Sequence, residues 1–83
     1  MIEIVSDRRT ETGVYFTLRT RKTSATISRN RLGVQVVKHN ASHRVWKGLG
    51  RNFPDFESAL AGYKSADMRT LIRSAEALSK ESA

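Results

Sequence analysis

The hydrophobic period of this 83-residue chain changes once, from two residues before Pro54 to the three-to-four spacing of a helix after it, and that change decides the fold class. In Gly13-Val14-Tyr15-Phe16-Thr17-Leu18-Arg19-Thr20-Arg21, the apolar Val14, Phe16 and Leu18 alternate with Tyr15, Thr17, Arg19 and Arg21, the pattern of a half-buried strand. Lys22-Thr23-Ser24 turns the chain into Ala25-Thr26-Ile27-Ser28-Arg29, where Ala25 and Ile27 repeat the alternation. Asn30-Arg31-Leu32-Gly33 has turn chemistry, and the β-branched run Val34-Gln35-Val36-Val37-Lys38 either makes a third strand or prolongs the second. His39-Asn40-Ala41-Ser42 reads as a hairpin loop leading into His43-Arg44-Val45-Trp46-Lys47-Gly48-Leu49 as the next strand. Residues 1–11, with Ile2, Ile4 and Val5, form an N-terminal arm or an edge strand.

After Pro54, Asp55 is placed to accept an orphan backbone N–H and start a helix. Phe56, Ala59, Leu60 and Tyr63 make one apolar stripe; Met68, Leu71, Ile72, Ala75 and Leu78 make another. The five-residue step from Tyr63 to Met68 rotates the second stripe away from the first, and Ser65 followed by Asp67 supplies a new cap. The helix is therefore kinked or split near Ser65. The expected architecture is α+β within a single domain, 1–83. A three- to four-stranded antiparallel sheet over 12–53 is packed on one face by the C-terminal helical segment, 54–80, and open to water on the other. A chain this short buries only about 60% of its unfolded surface, so its core is thin.

Charge is segregated along the same boundary. From residue 12 to residue 54 there are nine basic residues and no carboxylate, while each flank carries a net −1, which gives the chain its +7. Clustered Lys and Arg release condensed counterions on meeting phosphates, so the expected partner is a polyanion. If Val14, Phe16 and Leu18 face the helix, pleating turns Tyr15, Thr17, Arg19 and Arg21 outward together. A basic sheet face with an interleaved ring suits nucleic acid: guanidinium groups take phosphates or guanine edges, and rings pack on bases. The candidate binding residues are Arg19, Arg21 and Arg44, supported by Lys22, Arg29, Arg31 and Trp46. Spacing alone leaves Trp46 either in the core or on the binding face.

The rest of the inventory argues against other classes. The chain has no cysteine, so no disulfide framework and no thiolate metal site, consistent with a reducing, cytoplasmic setting. No apolar run is long enough to span a membrane, and the N-terminus lacks the features of a signal peptide. His39 and His43 flank a turn with no acid nearby in sequence, no Ser sits in a Gly-x-Ser-x-Gly setting, and Gly48-Leu49-Gly50 lacks the rest of a phosphate loop. The sequence points to no enzyme, cofactor, metal or small-molecule substrate.

Arg44-Val45-Trp46-Lys47-Gly48, then Phe53, then Phe56-Glu57-Ser58-Ala59-Leu60-Ala61-Gly62-Tyr63-Lys64-Ser65-Ala66, resembles the last strand and helix of the ethylene-response-factor type of plant DNA-binding domain. That family's fold, shared by arm-binding domains of some integrases, is a three-stranded antiparallel sheet backed by one helix. The resemblance implies a sheet that enters the major groove of DNA, DNA in preference to RNA, and Arg44 and Trp46 on the DNA-facing side. Here Lys47 stands where the family has an apolar residue, and Leu49-Gly50-Arg51-Asn52 lengthens the turn into the helix. The alternative function is a protein-interaction or adaptor domain. If the Met68–Leu78 stripe exceeds what the small sheet covers, a homodimer through the C-terminal helix would use the surplus.

Overall fold

The alternating segments before His39 each fold as a separate strand, and the stretch after Pro54 folds as two helices. The structure is a computed structural model that describes residues 2–39 and 50–81. Among the described residues the strands are β1 (Glu3–Thr10), β2 (Gly13–Arg19), β3 (Ser24–Asn30), β4 (Gly33–Lys38) and β5 (Arg51–Phe53), followed by α1 (Phe56–Ala61) and α2 (Ala66–Lys80). The strands form one antiparallel sheet in the order β1-β2-β3-β4-β5. The α+β architecture is thus as expected, with five strands where three or four were expected. Residues 3–10 make the N-terminal edge strand, Val34–Lys38 is a strand of its own, and Arg51–Phe53 adds β5 just before the helices. The expected strand at 43–49 lies outside the described residues.

One face of the sheet carries Phe16, Leu18, Ala25, Ile27, Val34 and Val36, all buried beneath Phe56 and Ala59 of α1 and Met68, Leu71, Ile72 and Ala75 of α2. α2 lies across β2 and β3, and α1 lies against β4 and β5. The second stripe packs into this domain's own core: Met68, Leu71, Ile72 and Ala75 are buried and Leu78 is partly buried against them.

Local chemistry sets the breaks. The Asp55 side chain caps α1 by accepting from the Ser58 backbone N–H at 2.7 Å, and that bond holds its carboxyl below the ordinary carboxylate value. α1 ends at Gly62, whose N–H reaches back to Ser58 and Ala59 carbonyls and which packs closely against the Phe53 ring. Ser65 then caps α2, accepting from the Met68 N–H at 3.4 Å, so the helical segment is split where the rotated stripes require it.

In the β3–β4 turn, Asn30 accepts from the Leu32 N–H at 2.8 Å and Gly33 has φ +126°, where a Cβ would stand 2.3 Å from the Phe53 carbonyl oxygen. Gly33→Ala is expected to destabilise the fold by about 1–3 kcal/mol, read as a lower urea midpoint. An unchanged midpoint would mean that the turn and β5 can separate at no cost.

Candidate nucleic-acid interface

Pairing register assigns every strand residue to a face, because residues directly opposite in an antiparallel ladder point the same way. The face away from the helices carries Glu3, Ser6 and Arg8 on β1, Tyr15, Thr17 and Arg19 on β2, Ser24, Thr26 and Ser28 on β3, Gln35 and Val37 on β4, and Asn52 on β5. It is a polar surface of hydroxyls and amides with two arginines. Among the described residues Glu3 is its one carboxylate; the others stand in the helices and their caps, in the β1–β2 turn, or, as Asp7 does, on the helix side of β1.

The hydroxyls are tied together. Thr17 and Thr26 are joined at 3.1 Å, and the ring of His39, the residue after β4, reaches β3, hydrogen-bonding Thr26 through Nε2 at 2.8 Å and Ser24 through Nδ1 at 3.2 Å. Arg19 Nη2 pairs with Glu3 Oε2 at 2.8 Å, both side chains being exposed. Exposed pairs of this kind are worth about 0–1 kcal/mol, so a phosphate can take the guanidinium over at little cost. Arg8 lies 5.2 Å from the centre of the Tyr15 ring, a cation–π contact on the same face.

Arg21 and Lys22 lie past the end of β2, both exposed in the β2–β3 turn. The Thr20 N–H donates to the Thr23 carbonyl at 2.7 Å, and Thr20 Oγ1 accepts from the backbone N–H groups of Lys22 and Thr23. Thr20 and Thr23 hydroxyls both donate to Asp67 Oδ2 at 3.4 Å, fixing the turn to the first turn of α2. Arg19, Arg21 and Lys22 therefore share one end of the sheet.

Arg29 does not join them. It pairs with Val14 and Val34, which places it on the helix side, a position its parity with Ala25 and Ile27 already implied. With Arg31, in the turn at the opposite end of the sheet, it lines a cleft of about 500 Å³ shared with Asp55, Glu57, Glu76 and Lys80. Three carboxylates there offset the three cations, so this end has no excess positive field. Arg51, also basic, is structural: it donates to the Gly62 carbonyl at 2.8 Å and lies 5.1 and 4.9 Å from the ring centres of Phe53 and Tyr63. Burial raises the Tyr63 phenol above its ordinary value, and the Arg51 charge opposes that shift. Arg44 and Trp46 lie outside the described residues.

The structure adds open-face residues not singled out from the sequence: Arg8, Ser28, Gln35 and Asn52. Ser28 and Gln35 were legible from alternation, sitting between apolar or inward neighbours. Arg8 and Asn52 were not, because every residue of β1 is exposed and β5 is only three residues long. Among the described residues no cluster of His, Asp or Glu could hold a metal ion, and no helix is long and apolar enough to cross a membrane. No protein-family model, curated protein or solved structure matches the chain.

Proposed function

We propose that this protein is a non-enzymatic nucleic-acid-binding module that meets its ligand with the open face of the sheet. Arg19 on that face and Arg21 and Lys22 in the adjoining turn contact phosphates, while Tyr15 and the hydroxyl and amide side chains meet sugars and bases. The observation that carries this reading is the near absence of carboxylates from the open face: those described sit in the helices, the turns or the helix side, and the one exception, Glu3, is held in an exchangeable pair. Such an arrangement leaves one described carboxylate on the open face to oppose the approach of a polyanion to Arg8 and Arg19.

Anisotropy titration of the full chain against duplex DNA, single-stranded DNA and RNA at two salt concentrations tests the reading. With about five phosphate contacts, log K against log salt is expected to slope near −4.5 for a duplex or about −3.5 for a single strand. Absence of binding at low salt to all three ligands would remove the proposal.

A further inference from the structure

Register across four ladders lines up one continuous row on the open face: Arg8 opposite Tyr15, Tyr15 opposite Ser28, Ser28 opposite Gln35, and Gln35 opposite Asn52. The row crosses all five strands, about 19 Å at the usual spacing between neighbouring strands. Its members are an arginine stacked on a tyrosine, two carboxamides and, between them, Ser28, which is buried in the floor of the row. Gln35 and Asn52 are exposed, and neither amide takes part in a hydrogen bond among the described residues. Amides of this kind bond base edges in a bidentate manner, and a Tyr ring or an Arg plane stacks on a base face.

We infer that this row is a base-reading site for single-stranded nucleic acid, with unpaired bases laid across the strands and phosphates held by the neighbouring cations. The inference rests on the nucleic-acid reading above and narrows it to one form of ligand. Width is the deciding consideration. The major groove of duplex DNA is about 12 Å wide and admits a two-stranded ribbon, whereas a face about 19 Å across would have to force the groove open at a cost in deformation energy. A single strand needs no such opening. Its bases are already unpaired, and the row offers stacking at one end and hydrogen-bonding edges at the other, with no carboxylate in the row to repel the backbone.

The test compares single-stranded DNA of about twelve nucleotides, the matching RNA, and a duplex of the same length, at matched salt, with the full-length chain. Single strands, whether DNA, RNA or both, are expected to bind at least about tenfold more tightly than the duplex. Tyr15→Ala is expected to weaken single-strand binding by about tenfold and Tyr15→Phe to retain it. Should Tyr15→Ala fail to fold by circular dichroism, the double variant Gln35→Glu/Asn52→Asp serves instead, with a loss of about tenfold expected from carboxylates placed on the row. Duplex binding as tight as single-strand binding, or single-strand binding indifferent to whichever of these variants folds, would overturn the inference while leaving the broader proposal in place. Failure to bind any nucleic acid at low salt would remove both.

Discussion

Phe16→Ala is expected to cost about 3–5 kcal/mol of stability, the largest single effect available in this fold. Phe16 is fully buried in the middle of β2, opposite Ile27 and in the same cluster as Leu71 and Ile72. On its other side the cross-strand partner is Asp7, and the Arg9 guanidinium lies 5.3 Å from the ring centre, paired to Asp7 at 3.2 Å. The β1 groups directly beside Phe16 are charged and prefer water, and the apolar Ile4 of that strand lies one inward position along, opposite Leu18. Chains of this size have a total stability of about 4–12 kcal/mol, so the variant would sit close to unfolding at room temperature. Urea denaturation measures this directly. A loss below about 1 kcal/mol would show that α2 can settle onto the sheet and refill the space.

The second large effect concerns binding. Replacing Arg19, Arg21 and Lys22 together by glutamine is expected to weaken single-strand binding about 100-fold near 0.1 M salt and to flatten the salt slope by about two, because each phosphate contact contributes about 0.7 to that slope. These three are the cations the structure gathers at one end of the sheet, Arg19 on its open face and the other two in the adjoining turn, and their removal disturbs little else: Arg21 and Lys22 are exposed, and Arg19 makes an exposed pair. Arg69→Gln/Arg73→Gln is the control. Both residues are exposed on α2, on the other side of the molecule, and their loss is expected to change affinity less than about threefold once salt screens distant charge. Equal losses from the two sets would mean that net charge, not the sheet face, drives association.

The cationic cluster is smaller than the sequence suggests. Nine basic residues between 12 and 54 invite a picture of one continuous basic face, yet the structure turns Arg29 toward the helix side, sets Arg31 among carboxylates at the far end and uses Arg51 to hold Phe53, Tyr63 and the end of α1. Arg29 could have been excluded from its parity with Ile27. Arg51 could not, since its partners come from another element: Gly62 and Tyr63 reach it only once α1 has folded back on β5.

The resemblance noted in the sequence rests partly on residues 44–48, which lie outside the described residues, and it implies three strands and one helix. The described chain has five strands and two helices. The added width follows from β1 and β5, the strands with the weakest sequence signal. An edge strand exposed along its whole length has no buried face to impose alternation, and a three-residue strand is too short to display a period.

Period, parity and capping belong to the sequence, because each depends on residues within one turn or one pleat of each other. They determined the inward set Val14, Phe16, Leu18, Ala25 and Ile27, the cap at Asp55 and the break before Ser65. Which outward residues become neighbours belongs to the tertiary structure. Arg8 and Asn52 end the same row only because four successive registers bring them there, each set by its turn and its buried partners, and no local pattern encodes the product of all four.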